Sequence, residues 1–451
     1  MIVRYLLPVL LMFGALIPAA GAVPPIQQAH LENGMRVLLM EAHNVPMVAM
    51  KLAMPAGSRF DPAGKGGAAG LLAGMLLDHT ARHDHVAWAD LLDADAIRLG
   101  GGAGRDELSL SLTVLKDALQ PGLDAFAEAL LQPGWDSKRF ALLKQDSIAA
   151  AQKAREEPGV RAAEAAAELL FSDHPYGHRP DGTMASLARI KLNDLKRLYR
   201  DQIRPSEAAL AVSGDITMDE LLPLLNARFS GWRGRAARGL MHIATPKPVV
   251  GTARDVALPT SQMLVQLIRL GPARNGAAFF PAFVLNHMLG GGGFASRLMN
   301  EVREQRGLVY GVYSYFQPLA VPGPFVITLQ TRADQAAGAE RVVRDVLRDM
   351  AAGHISRQQL EASKANLIGG FAQRMDSNRE RVGLISMIGL YNLPLDYLSR
   401  WQARVQRVTL AEVQAQAAAY LKPAQWNRVR VGPEAALSGQ GSLHPAPQHR
   451  Q

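Results

Sequence analysis

Cysteine is absent from all 451 residues. No disulfide can staple this chain, no thiolate can bind a metal, and no cysteine can act as a nucleophile. A chain this long buries enough apolar surface to do without staples. Polybasic runs are also missing. The net charge is +9, but it is spread as single Arg and Lys residues, which argues against a nucleic-acid partner and leaves a mildly cationic cleft for acidic peptides or an acidic partner. Beyond the N-terminus no window is long and apolar enough to cross a bilayer.

What is present begins with a leader. Arg4 precedes an apolar stretch from Tyr5 to Ile17, and Pro18-Ala-Ala-Gly-Ala22 offers small residues for cleavage after Ala22. The expectation is a signal peptide at 1–22, an exported chain and a periplasmic location, with no membrane attachment after cleavage. The mature sequence then runs through one order of elements twice. In the first half, strands at Arg36–Met40 and Val48–Leu52 precede a helix at Gly67–Leu77 and another at Val86–Leu99. A hairpin turning at Gly100–Gly104, an alternating strand Glu107–Val114, three long helical patterns and a closing strand at Ala208–Asp215 follow. In the second half, Ser261–Ile268, Ala277–Leu289, Tyr310–Phe316 and Gly323–Leu329 repeat strand, helix and strand pair, and helices and a last strand, Asn427–Val431, complete it. This is an internal duplication of an α+β unit. The expected division is 23–235, a linker at 236–250 carrying Pro246 and Pro248, 251–435, and a disordered tail at 436–451 rich in Gly, Ser, Pro, Gln and His.

Two stretches carry a family resemblance. Gly57-Ser-Arg-Phe-Asp-Pro-Ala-Gly-Lys-Gly66 leads into a helix reading Ala69-Gly-Leu-Leu-Ala-Gly-Met-Leu76. Further on, Gly290-Gly-Gly-Gly-Phe-Ala-Ser-Arg-Leu-Met-Asn-Glu-Val-Arg303 continues to Tyr310-Gly-Val-Tyr-Ser-Tyr315. The chain resembles the pitrilysin/insulinase zinc peptidases, in the two-domain branch that includes the mitochondrial processing peptidase. The resemblance runs from about Leu31 to Pro433 and includes Gly389-Leu-Tyr-Asn-Leu-Pro-Leu-Asp-Tyr-Leu398. It implies two tandem homologous domains, each a mostly antiparallel sheet packed against helices, forming half of a clamshell.

The same resemblance locates a loss. The family's first helix carries H-x-x-E-H, two histidines that clamp zinc from one face and a glutamate that serves as general base. Here Gly70 and Gly74 stand at the histidine positions and Ala73 at the glutamate. The third ligand is a glutamate on a later helix, where this chain has Ala149 and Ala150. None of these side chains offers a lone pair, so the resemblance implies no catalytic residue, no metal ligand and no cofactor in this chain. Arg303 and Tyr310, in contrast, match an arginine and tyrosine that in the family hold the substrate backbone and stabilise the oxyanion. The pattern implied is the non-catalytic subunit of a heterodimeric peptidase. Zinc is expected in a homologous partner subunit, and a peptide or unfolded protein is the substrate. A stand-alone peptide-binding or scaffold protein is the alternative, and a homodimer stays open.

Three other clusters invite chemistry. Asp78-His79-Thr-Ala-Arg-His83-Asp84-His85 packs possible ligands, with His79 and His83 one helical turn apart, and an active enzyme with relocated ligands would need them to bind zinc. Its position after the zinc helix and the cation Arg82 favour a solvated loop with His85 near a helix start. His174-Pro-Tyr-Gly-His178 corresponds to a structural turn of the family. Gly290–Gly293 precedes no Walker lysine, so a tight loop open to a peptide backbone is expected rather than a phosphate site.

Overall fold

The computed structural model describes residues 23–239 and 243–438. The expected leader at 1–22 and the sequence after Ser438 lie outside the described residues. Within them, no helix is long and apolar enough to cross a membrane.

The first sheet contains β1 (Gln27–His30), β2 (Arg36–Glu41), β3 (Met47–Met54), β4 (Arg98–Ala103), β5 (Leu108–Leu115) and β6 (Ala209–Gly214), in the spatial order β1-β2-β6-β3-β5-β4. The helices of this half are α1 (Ala68–Asp78), α2 (His85–Ala94), α3 (Leu119–Leu131), α4 (Ser137–Ala154), α5 (Pro158–Phe171), α6 (Met184–Arg189), α7 (Leu192–Gln202) and α8 (Met218–Phe229). The second sheet, β7 (Ala253–Ala257), β8 (Gln262–Leu270), β9 (Val312–Phe316), β10 (Pro324–Arg332) and β11 (Asn427–Gly432), has the order β7-β11-β8-β10-β9. Its helices are α9 (Phe279–Asn286), α10 (Ala336–Ala351), α11 (Arg357–Gly369), α12 (Asn378–Leu390), α13 (Trp401–Arg407), α14 (Leu410–Tyr420) and the single turn α15 (Glu434–Leu437).

Apart from β1, which adds an antiparallel edge strand to β2, the two sheets are copies in order and polarity. In each, one parallel pair, β2 with β6 and β7 with β11, is followed by three antiparallel pairs. The described chain is therefore α+β in two homologous units, with β4 and β9 at corresponding free edges.

Alternation along the strands sends apolar side chains to both faces, so each sheet needs two covers. Val37, Leu39, Met50, Leu52, Leu110 and Leu112 face the first half's own helices, including α1 and α3. Leu38, Met40, Ala49 and Ala211, on the opposite face, belong to a core built mainly by the second half. The cover there is α12, which lies on β6, β3 and β2. The exchange is mutual. Leu264, Ile268, Val326, Val429 and Val431 on the second sheet pack against α5, which crosses β11, β8 and β7. Gly389 allows the approach of α12, since a Cβ there would stand 2.7 Å from the Ala209 side chain. Each half thus supplies a helix to the other's sheet.

A buried polar cluster pins the exchange. Asp106, in the β4–β5 turn, accepts hydrogen bonds from Tyr176, Tyr391 (2.9 Å) and the Ala320 backbone N–H (2.9 Å), and lies 3.7 Å from the Arg59 guanidinium. Two of these partners belong to the second half. Burial, reinforced by the Asp106 charge, pushes the Tyr176 and Tyr391 phenols well above their ordinary range, so both remain donors.

Local differences from the expected elements have physical causes. Gly100–Gly102 form strand β4 instead of a turn, because a Cβ on Gly101 would meet Ser109 O of β5 at 2.7 Å and only glycine fits this edge. The turn falls at 104–107, where Gly104 N–H donates to Glu107 O. Gly290 and Gly291 belong to a π-helical turn, His287–Gly291, that prolongs α9, so the open loop begins only at Gly292. Ala436 and Leu437, expected at the start of the disordered tail, instead complete a helical turn, Glu434–Leu437, and pack on the second core.

Candidate functional site

Helix α1 starts without a capping side chain of its own. Gly67, left-handed at φ 99°, precedes it, and Asp61 supplies the missing acceptors, taking Gly67 N–H at 2.9 Å and Ala69 N–H at 2.8 Å. His178 of the His-Pro-Tyr-Gly segment lies 3.1 Å from the same carboxylate. Burial pushes the Asp61 carboxyl up, against these bonds, which favour its charged form. The other members of that segment are structural too: Tyr176 holds Asp106, and Gly177 N–H closes a turn on His174 O at 2.8 Å.

The helix so positioned presents an empty surface. A Cβ placed on Gly70 would meet nothing nearer than 3.9 Å, and one on Gly74 nothing within 4 Å. No neighbouring group has grown into the space of the two histidines. Ala73 is buried in the core behind them. Helix α4 lies alongside, with Ala149 and Ala150 exposed on it. The two helices are in contact, and at these positions they present only methyl groups and hydrogens. Zinc needs nitrogen, sulfur or carboxylate donors, and these five residues do not fit it. Among the described residues no group of three or more His, Asp or Glu side chains could hold a metal ion.

The histidine cluster after α1 is a loop with His85 at the following helix start, as expected, and Ala81, Arg82, Asp84 and His85 are exposed, but its first residues are not solvated. Asp78 and His79 are buried, with Asp78 gripped by Arg139 Nε at 2.9 Å and by His79 Nδ1 at 2.8 Å. His79 Nε2 accepts from the Asp136 N–H at 3.3 Å, which places its proton on Nδ1. His83 reaches Glu128 at 2.8 Å, and His85 opens α2 behind its N-cap Asp84. Burial raises the Asp78 carboxyl, yet Arg139 and His79 outweigh it and the net direction is downward. The cluster ties α1 to α2 and α4. Its organiser, Arg139, lies too far along the sequence to be associated with Asp78 by spacing.

Arg303 and Tyr310 stand apart from all this, in the second half. Arg303 ends a π-helical segment, Met299–Glu304, with Nη1 2.6 Å from Glu304 and its guanidinium 4.9 Å from the centre of the Phe294 ring. Tyr310 precedes edge strand β9 and is 85% exposed. Phe294, Tyr313 and Tyr315 are exposed around the same segment. Among the described residues no hydrogen bond joins Arg303 to Tyr310, and none joins either to α1 or α4. The sequence singled out the arginine and tyrosine; the aromatic surround was legible only as an alternating strand.

Comparison with known proteins agrees with this geometry. Residues 36–178 match the model of the insulinase family, peptidase family M16, and residues 189–367 match that of the peptidase M16 inactive domain. A crystal structure of a peptidase M16 inactive domain from Pseudomonas fluorescens is 31% identical, superposes with a TM-score of 0.85, and covers 90% of this chain and 98% of its own. The chain belongs to peptidase family M16. The non-peptidase homolog YmxG of Helicobacter pylori is 25% identical to this M16 chain over 84% of its length and 87% of the relative's. An uncharacterised zinc protease of Mycobacterium tuberculosis is 25% identical over 92% of the chain and 94% of its own length. This M16 member is an inactive homologue.

A direct test follows. The purified chain should hold no stoichiometric zinc after dialysis, by elemental analysis. Gly70→His, Ala73→Glu and Gly74→His together should still bind it poorly, and adding Ala150→Glu should complete a tetrahedral site with one open position. Tight binding by the triple variant would mean that the third ligand lies elsewhere.

Proposed function

We infer that this chain is the non-catalytic subunit of an exported heterodimeric zinc peptidase, closing half of a peptide chamber and supplying Arg303 and Tyr310 to a partner's zinc site. The observation that carries the reading is the combination of an empty motif surface on α1 and α4 with an exposed Tyr310 beside Arg303. Phe294, Tyr310, Tyr313 and Tyr315 together expose aromatic surface around this segment, as expected where a partner or ligand covers it. The second reading, a peptide-binding scaffold that works alone, draws support from the non-peptidase name carried by the Helicobacter pylori relative.

Sedimentation separates the two. Mixed at micromolar concentration with a homologue that carries an intact H-x-x-E-H, the chain should run as a 1:1 complex. A lasting four-domain chamber calls for an interface above roughly 1,000 Å². If the two proteins sediment independently, the subunit reading falls and the scaffold reading stands.

A further inference from the structure

Next to the empty motif surface the described residues enclose a cavity of about 870 Å³, bounded by the end of α4, by α5, by the loop before α1 and by the turn at 173–179. Its wall carries five guanidinium groups, from Arg59, Arg155, Arg161, Arg179 and Arg238. Four carboxylates share that wall, but three are already engaged. Asp61 caps α1 and meets His178; Glu164 is shared by Arg161 at 2.8 Å and Arg179 at 3.1 Å; Glu168 lies 3.6 Å from Arg254. The fourth, Asp173, is exposed on the turn.

Arg155 and Arg238 form no ion pair among the described residues. Arg238 instead lies over the Phe60 ring, 5.0 Å from its centre, and Arg59 sits 4.5 Å from the same centre. Arg59 matters most for the field. Its side chain is 2% exposed; Nη2 donates to Gly239 O at 2.8 Å, but Nε and Nη1 have no hydrogen-bond partner, and its counter-charge Asp106 is 3.7 Å away and shared with two phenols. A buried cation so loosely compensated projects positive potential into a concave, low-dielectric space, and such clefts concentrate anions. Of the two histidines on the wall, burial pushes His174 down, towards its neutral form, and His178 is held by Asp61, so the guanidinium groups carry the field.

We propose that this cavity is a carboxylate-binding site, in which Arg155 and Arg238 take an acidic side chain or the C-terminal carboxylate of an extended peptide. It rests on the peptide-chamber reading and adds a ligand preference to it. The placement suits a peptide: Ala151, the residue after Ala150 on α4, lines the cavity, and Arg155, the C-cap of that helix, stands about one turn further on at about 1.5 Å per residue. Guanidinium forks match carboxylates bidentately, and two without fixed partners spend nothing on breaking existing pairs.

The test is fluorescence anisotropy on the full chain with three labelled, unstructured peptides of equal length. One carries Asp and Glu side chains and an amidated end, one has those residues as Asn and Gln with a free carboxylate, and one is neutral throughout. At least one carboxylate-bearing peptide should bind tenfold or more tightly than the neutral one, the preference should shrink as salt rises, and which peptide wins identifies the source of the carboxylate. Arg155→Gln with Arg238→Gln, both at exposed positions, should abolish the preference and leave neutral-peptide binding unchanged. Equal affinity for all three peptides, binding of none, or a preference that survives in the double variant overturns the proposal. Sedimentation with the zinc-bearing homologue, run in parallel, keeps the outcomes distinct: normal assembly without carboxylate preference sinks only this site, and preference without assembly sinks only the pairing.

Discussion

Tyr310→Phe is expected to lower peptide turnover by a reconstituted complex about 10²–10³-fold, the usual loss when one donor to a developing oxyanion is removed. The substitution deletes a single hydroxyl from a side chain that is 85% exposed, so folding and assembly should hardly change. Its effect should fall on kcat, as befits a bond made only in the transition state. Arg303→Ala removes a charged contact to the peptide as well, and should raise KM in addition to lowering kcat. It also frees Phe294 from the overlying guanidinium, so Arg303→Lys is the useful companion: it keeps the charge and loses the fork. If the two side chains act as a unit, the double variant should be little worse than the poorer single one. The measurement is cleavage of an unstructured peptide by the wild-type zinc-bearing partner mixed with each variant, with complex formation checked by sedimentation. Normal assembly with wild-type rates would make this chain a wall and nothing more.

The second large effect concerns stability. Asp106→Ala should cost roughly 3–5 kcal/mol, because it leaves the buried Arg59 cation without a counter-charge and orphans two phenol donors. Denaturant unfolding followed by tryptophan fluorescence would report it. Tyr391→Phe removes one of several bonds to the same carboxylate and should cost about 1 kcal/mol. Asp106→Asn keeps the size and one acceptor, and should fall between them. A loss below about 1 kcal/mol for Asp106→Ala would mean that the cluster is a passenger in an interface held by apolar packing.

Much of the architecture was written in short-range pattern. Helices α3 and α14 occupy the residues their apolar periodicity indicates, Leu119–Leu131 and Leu410–Tyr420, since a 3.6-residue stripe is a local property. That Gly70, Ala73 and Gly74 carry no donor atom in their side chains follows from residue type and needs no fold. What escaped was long-range or ambiguous. Three successive glycines read as a turn, and only the closeness of β5 shows why they form an edge strand. The apolar face of α5 is the same whether it covers its own sheet or the next one, so periodicity alone could not assign it to β8 and β11. Asp106 and Asp78 looked like ordinary loop and helix-end acids, and their partners Tyr391 and Arg139 are distant in the chain.

The exchanged helices also set a timetable for folding. When β6 has been made, the first sheet has every strand it will have, yet Leu38, Met40 and Ala211 still face water, since α12 comes only after β10, α10 and α11. A nascent chain therefore carries a bare apolar sheet from the completion of β6 at Gly214 until α12 begins at Asn378, a condition that invites chaperone binding and slows folding through contacts far apart in sequence. A cut through residues 240–242 would give two fragments, each lacking one cover of its core. Expressed singly they should aggregate, and expressed together they have a reason to find each other.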